Sequence, residues 1–73
     1  MWKVNLGELA PGCTYVIDPP DHWGLTLPPL VRFGGKHGGF YHWRNEGTGN
    51  PFAIDGRRMR QCQIFEVITC GTR

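Results

Sequence analysis

Hydrophobic and polar residues alternate with a period of two at the start of the chain. In segment 2–6, tryptophan, valine and leucine alternate with lysine and asparagine. In an extended chain this period places the apolar side chains on one side and the polar side chains on the other. Segment 13–18, CTYVID, follows a Pro-Gly turn signal and has three strong strand formers at its centre. Both segments are therefore predicted to be β-strands.

The stretch 31–44, VRFGGKHGGFYHWR, predicts a β-hairpin. Two runs rich in β-formers, 31–33 and 40–44, flank a tip that contains four glycines. Glycine adopts positive φ without steric cost, so it is a common residue of the tight turns that join strands. We expect the glycine tip of this hairpin to be a mobile loop.

The second run of this hairpin alternates between two sets of side chains. Phe40, His42 and Arg44 lie on one side of it, and Tyr41 and Trp43 lie on the other. A chain of 73 residues has a thin core, burying roughly 60% of the surface that its unfolded state exposes, so it needs aromatic rings there. We expect five rings in the core: Trp2, Phe33, Phe40, Phe52 and Phe65. We expect three side chains of the hairpin to face solvent: Arg32, Tyr41 and Trp43.

Turn-forming residues divide the rest of the chain into short segments. Proline pairs at both ends of 19–29 predict a stiff crossover loop, because a residue before proline is pushed to an extended conformation. Turn residues fill 46–50, a short strand is predicted at 51–54, and Asp-Gly at 55–56 indicates a tight turn.

The last part of the chain is predicted to be extended. Segment 57–61 is a basic strand with one methionine as its apolar anchor, and it leads into a final strand at 62–70. Apolar residues occupy both sides of that final strand. This pattern is typical of a central strand that is covered on both faces.

These segments define the predicted fold class. Eleven glycines and six prolines interrupt the chain, and no stretch of ten residues keeps a helical period without one of them. Residues 1–73 are predicted to form one all-β domain with little or no helix. The expected architecture is a small barrel of five to six strands, SH3-like or OB-like, because a barrel hides the sheet edges that so small a protein can poorly expose.

Positive charge is concentrated in the middle of the chain. The net charge is +2, but residues 31–60 carry six basic and two acidic side chains, a net charge of +4. The remainder carries two basic and four acidic side chains, a net charge of −2. The middle segment is therefore expected to face an anionic partner.

The basic and aromatic residues of this segment predict a binding site. Cations contact phosphates, and exposed rings stack on bases at roughly 1–3 kcal/mol per base. Eight residues form the predicted nucleic-acid or partner-binding set: Arg32, Lys36, Tyr41, Trp43, Arg44, Arg57, Arg58 and Arg60. The leading hypothesis is a small non-enzymatic binding module that contacts nucleic acid, or a nucleic-acid-processing complex, through this basic and aromatic hairpin face.

A protein-interaction module is the alternative function. Interface hot spots are enriched in tryptophan, tyrosine and arginine, which the middle of the chain also supplies. Such a domain would be a small inhibitor or adaptor, of the kind that mobile genetic elements encode, that docks on a larger protein complex. A thin core with many aromatic rings is also compatible with a homodimer.

Catalysis, metal binding and cofactors are not predicted. The candidate ligands are scattered over the chain: Cys13, His22, His37, His42, Cys62 and Cys70. No tight Cys-x-x-Cys unit is present, and the glycine tip lacks the GxxxxGK[ST] spacing of a phosphate loop. The tip and Lys36 could form a small anion-binding nest, although a flexible hairpin tip explains the glycines better.

Cysteine usage and hydropathy indicate a location. Three cysteines, an odd number, fit a reducing compartment better than a disulfide scaffold. No apolar run approaches the roughly 20 residues of a membrane span. The protein is therefore predicted to be cytoplasmic, with no membrane partner.

Overall fold

The alternating segments form β-strands that pair in one antiparallel sheet. The computed structural model describes residues 1–67, and over these residues the sheet has six strands. They are β1 (Trp2–Val4), β2 (Thr14–Asp18), β3 (Val31–His37), β4 (Phe40–Asn45), β5 (Pro51–Asp55) and β6 (Gln63–Glu66). Their order across the sheet is β1-β6-β2-β3-β4-β5, and every neighbouring pair is antiparallel. The all-β prediction is confirmed.

Short helical turns make up the rest of the regular structure in residues 1–67. They are two 3₁₀ turns, Leu6–Glu8 and Asp21–Trp23, and one α-helical turn, α1 (Gly56–Met59). The Asp55 carboxylate starts α1 by accepting a hydrogen bond from the backbone N–H of Arg58 at 2.7 Å. The predictions of a tight turn at 55–56 and a basic strand at 57–61 were therefore wrong, because Asp55 acts as a helix N-cap.

A tight turn joins β3 to β4. His37 pairs with Phe40, so the turn consists of Gly38 and Gly39, whose φ angles are +58° and +80°. Positive φ at both central residues is typical of a two-residue type I′ turn, which matches the twist of the flanking strands. The expected loop of glycines at 34–39 is thus reduced to two residues, and the other glycines belong to β3.

A β-bulge in β3 sets the pairing of this hairpin. Phe33 pairs with Trp43, but the next pair joins Gly35 to His42, so Gly34 is an extra residue. Gly35 has a φ of +116°, which favours glycine. Without the bulge, the turn would set Phe33 opposite Arg44 on the solvent side. The bulge therefore reconciles the position of the turn with burial of Phe33.

The core is formed by one side of the sheet. A single cluster contains side chains from all six strands, from α1 and from Cys13, which precedes β2: Val4, Cys13, Tyr15, Ile17, Val31, Phe33, Tyr41, Trp43, Ile54, Met59 and Ile64. No second sheet covers this cluster in the described part of the chain, so the sheet must curve around it to bury these residues. The edge strands β1 and β5 do not pair with each other over residues 1–67, so the sheet is not closed as a barrel.

Trp43 lies at the centre of this core. Its side chain is 2% exposed, and its ring lies 5.0 Å from Phe33 and 6.0 Å from Tyr15 between centroids. Tyr41, on the same side of β4, is 8% exposed, whereas Phe40 is 47% exposed. The alternation of β4 was predicted correctly, but its inner side was chosen wrongly. The larger rings, which bury more apolar area, face inward.

The other expected core rings differ in their burial. Phe33 is buried, as predicted, and Phe52 and Phe65 are partly buried. Trp2 is 54% exposed on the edge strand β1, so its prediction as a core residue was wrong.

Glu46 connects the end of β4 to β2 and β3. Its carboxylate accepts a hydrogen bond from the Thr14 hydroxyl at 2.5 Å and lies 3.2 Å from the Arg32 guanidinium. Its backbone N–H donates to the Leu30 carbonyl at 3.1 Å. The Thr14 hydrogen bond, assisted by the charge of Arg32, lowers the pKa of Glu46 against an opposing effect of desolvation.

The last described strand has a strand on each side, as predicted, but it is not covered on both faces: Ile64 and Glu66 are buried, whereas Gln63 is exposed on the other face. β6 lies between β1 and β2, and it ends at Glu66. The remainder of the predicted strand 62–70, from residue 68 onward, lies outside the described residues. None of the helices in residues 1–67 has the length and apolar character needed to cross a membrane.

Replacing Trp43 should test its role in the core. We expect Trp43→Ala to lower the free energy of unfolding by about 3–5 kcal/mol, because it leaves a large cavity. Trp43→Phe should cost less, since Trp43 Nε1 has no hydrogen-bond partner in the described structure and an unpaired buried donor costs about 1–3 kcal/mol. Urea denaturation followed by circular dichroism measures both. Phe40→Ala is the control, with an expected loss of about 1 kcal/mol or less; equal losses for the two alanine variants would contradict the assignment.

The lowered pKa of Glu46 predicts a pH-dependent contribution to stability. A depressed folded-state pKa means that the contribution is complete above the unfolded-state value, 4.5, and is lost as the pH falls through the folded-state value. The difference in urea midpoint between the wild type and Glu46→Gln should therefore be constant near neutral pH and disappear in acid. Thr14→Val should weaken the dependence. Parallel profiles for the wild type and Glu46→Gln down to low pH would contradict this.

Candidate functional site

Strand register places five side chains on the solvent side of the central hairpin. Across β3 and β4, Arg32 pairs with Arg44, Gly35 with His42, and His37 with Phe40. Residues that pair directly point to the same side of a sheet. We call the resulting surface the hairpin face and define it by Arg32, His37, Phe40, His42 and Arg44.

Two like charges stand directly opposite each other on the hairpin face. Such a cross-strand pair is destabilising unless other groups compensate it. Arg32 is compensated by the ion pair with Glu46. The Arg44 guanidinium donates to the Gly49 carbonyl at 2.5 Å, but it has no carboxylate partner among residues 1–67. The face therefore retains positive charge.

Three rings complete the hairpin face. The imidazoles of His37 and His42 meet edge-to-face with centroids 5.4 Å apart, and half of Phe40 is open to solvent. A shallow cleft of about 510 Å³ lies here, with both histidines and Arg44 in its lining. Because Phe33 is buried, regular alternation along β3 would turn His37 toward the core; the bulge at Gly34 lets His37 face solvent beside His42.

The predicted binding residues do not form one surface. Arg32 and Arg44 lie together on the hairpin face. Tyr41 and Trp43 are buried in the core, so the expectation that they face solvent and stack on bases was wrong. The other four predicted residues are exposed but lie off this face: Lys36, Arg57, Arg58 and Arg60.

Lys36 and the arginines near α1 have their own contacts. Lys36 pairs with Tyr41, and its Nζ lies 5.3 Å from the centroid of that ring, a cation–π geometry. The Arg58 guanidinium lies 3.9 Å from the carboxylate of Asp55, the N-cap residue of α1. In that geometry an exposed ion pair contributes little to stability.

The sequence contained an indirect signal for the missed residues. Phe40, His37 and His42 were not predicted as binding residues, because regular alternation does not place the two histidines together. A glycine pair inside a strand is a known mark of a bulge, and Gly34-Gly35 is such a pair. A bulge at this glycine pair reverses the side of the sheet that the following residues face. Taking it into account would have placed His37 on the same side as His42.

The two cysteines in the described residues differ in state. Cys13 is buried and disulfide-bonded, whereas the odd number of cysteines had led us to expect reduced thiols. Cys62 is a free thiol whose Sγ donates to the Arg58 carbonyl at 3.6 Å. Burial, and then the negative charge of Asp18, raise the pKa of Cys62, which disfavours a reactive thiolate.

Possible metal ligands do not cluster in the described part of the chain. Residues 1–67 contain no group of three or more histidine, cysteine, aspartate or glutamate side chains arranged to hold a metal ion.

Comparison with protein-family models, with curated proteins and with solved structures found no match for the chain. The function is therefore inferred from the geometry of its surfaces.

Thiol labelling should distinguish the two cysteines. In the folded, unreduced protein we expect iodoacetamide to modify Cys62 and to leave Cys13 unmodified, as read by peptide mass spectrometry. Because the pKa of Cys62 is raised, its labelling should accelerate at a higher pH than in the unfolded chain, and Asp18→Asn should lower that pH. Labelling of Cys13 without reductant would contradict the disulfide and support a reducing compartment.

Proposed function

We propose that this protein is a small non-enzymatic module that binds single-stranded nucleic acid through the hairpin face. The observation that supports the proposal is the pairing of Arg32 with Arg44 beside the exposed ring of Phe40. A phosphate accepts charge-assisted hydrogen bonds from guanidinium groups, and a base stacks on an aromatic ring. An anionic ligand would also neutralise Arg44, which has no carboxylate partner among residues 1–67.

The proposal differs from the sequence hypothesis in the residues that stack. Phe40 takes the role first given to Tyr41 and Trp43, and the imidazole of His42 lies between it and Arg44 along the strand. Along β4, Phe40 and Arg44 are about 13 Å apart, so ring and cation would contact a short segment of an extended strand. The ligand would lie across β3 and β4.

Location and assembly belong to the same proposal. A cytoplasmic location remains a prediction, and the disulfide at Cys13 counts against it because disulfides persist mainly in oxidising compartments. A homodimer also remains a prediction.

Salt-dependent binding should test the hairpin face. Fluorescence anisotropy with a labelled oligothymidylate of about 15 nucleotides should give a logarithmic salt slope of about −1.4, because two phosphate contacts each contribute about −0.7 on single strands. Arg44→Gln should halve the slope. Phe40→Ala should weaken binding by about fivefold to a hundredfold without changing the slope, because it removes one stacking contact.

Matched controls identify the surface. Arg57→Gln removes an exposed arginine that lies off the hairpin face, and it should bind as the wild type does. Equal effects of Arg57→Gln and Arg44→Gln would indicate diffuse attraction and overturn the proposal, as would absence of binding at low salt. A stoichiometric pull-down complex that survives nuclease and is lost in Arg44→Gln would favour the alternative of a protein partner on this face.

A further inference from the structure

The outer edge of β5 has no strand partner among residues 1–67. β5 pairs with β4 on one side and is the last strand in the order of the sheet. Two backbone bonds frame the β4–β5 pair: Asn45 N–H donates to the Asn50 carbonyl and Gly56 N–H donates to the Gly39 carbonyl, both at 2.9 Å. They fix which residues of β5 point their backbone groups toward β4.

Bonded and non-bonded pairs alternate along an antiparallel ladder. Asn50 and Gly56 both hydrogen-bond to the β4 side. Every second residue between them does the same, so Phe52 and Ile54 are the residues of β5 that hydrogen-bond to β4. The N–H and carbonyl of Ala53 and the N–H of Asp55 therefore point away from the sheet, as does the carbonyl of Pro51. This edge offers donors and acceptors at the spacing of an incoming strand.

An apolar cleft of about 670 Å³ lies beside this edge. Its walls come from β5, from the loop between β2 and β3, and from residues at and after α1. Trp23, Leu25 and Leu27 supply the loop side, and Leu25 is half exposed. The Trp23 indole N–H lies 3.4 Å from the Gln61 side-chain oxygen, which connects the loop to the segment after α1.

The charge of the cleft indicates what would occupy it. Its lining contains Arg58 and His22 and no aspartate or glutamate. The Arg58 guanidinium lies 3.9 Å from the neighbouring Asp55 carboxylate, and an occupant's carboxylate would share Arg58 with it. An occupant with a carboxylate and an apolar side chain would match these walls. Extended peptides bind in this way, using backbone bonds for affinity and side-chain pockets for specificity.

We propose that the edge of β5 and the adjoining cleft bind an extended segment of a partner protein that carries apolar and acidic residues. The segment adds a strand to β5 by hydrogen bonding to Ala53 and Asp55. One apolar side chain enters the cleft, and a carboxylate faces Arg58. This edge adjoins the hairpin face, because Ala53 pairs with His42 and Asp55 with Phe40, but the proposal does not depend on nucleic-acid binding.

A second copy of the chain fits this edge less well. Antiparallel self-pairing centred on Ala53 would place Pro51 of each copy opposite Asp55 of the other. Proline has no N–H, so two bonds of the new ladder would be missing. The missing bonds favour a peptide of different sequence.

Amide hydrogen exchange of the free protein tests the open edge. We expect the amides of Ala53 and Asp55 to exchange much faster than those of Phe52 and Ile54 in a nuclear magnetic resonance experiment. Slow exchange at Ala53 and Asp55 would overturn the proposal, because the edge would already be covered by the chain itself or by a second copy.

Peptide selection tests the occupant. Random linear peptides of about ten residues, displayed on phage, should be enriched for sequences that combine acidic with large apolar residues. For a selected synthetic peptide, Ala53→Pro should weaken binding about tenfold, since it removes a donor that β4 does not use, and Ala53→Ser should bind normally. Arg58→Gln should weaken binding about fivefold, and Arg57→Gln should not.

Peptide chemistry keeps the test independent of protein folding. N-methylation of the selected peptide at alternate backbone positions should abolish binding at one set of positions and spare the other, as strand pairing requires. No enrichment, enrichment without acidic and apolar residues, or insensitivity to both Ala53→Pro and N-methylation would overturn the proposal. Peptide binding that Arg44→Gln weakens as much as Arg58→Gln does would place the peptide on the hairpin face and overturn the proposal as well.

Discussion

Burial of Trp43 against Phe33 and Tyr15 is the contact on which the arrangement of the hairpin depends. Because side chains alternate along β4, an inward Trp43 also fixes Tyr41 inward and sends the intervening residues to solvent. The same contact aligns β3 with β4, since Phe33 is the cross-strand partner of Trp43. The packing of the core therefore also determines which residues form the hairpin face. Trp43, which was expected to bind a ligand, instead positions the residues that are proposed to bind it.

Two local devices adapt the rest of the chain to this contact. The bulge at Gly34 lets a two-residue turn coexist with a buried Phe33. The Glu46 carboxylate holds the end of β4 against Thr14 and Arg32, so it joins three strands with one side chain. Neither device contributes much apolar area. In a domain with so thin a core, such polar and conformational constraints specify register, while the aromatic cluster supplies the hydrophobic stabilisation.

The sequence was sufficient for the strands but not for the choice of face. Alternation, strand formers and turn signals together located all six strands of residues 1–67. The further strand predicted at 57–61 is replaced by the helical turn α1, which depends on a side-chain bond from Asp55 that turn propensity does not reveal. Both sides of β4 carry aromatic residues, so periodicity alone could not tell which side is buried. Charge correctly identified Arg32 and Arg44 as exposed, whereas the approach of His37 to His42 depends on a bulge.

The bulge also gives the hairpin an asymmetric tolerance to changes in chain length. β3 holds one residue more than its ladder with β4 requires. A single-codon deletion in the gene between Phe33 and the turn can be absorbed by loss of the bulge, with Phe33 still opposite Trp43. An inserted residue has no vacant position in the ladder, so it must enlarge the bulge or the turn. Length variation in related genes is therefore expected to run toward shorter hairpins.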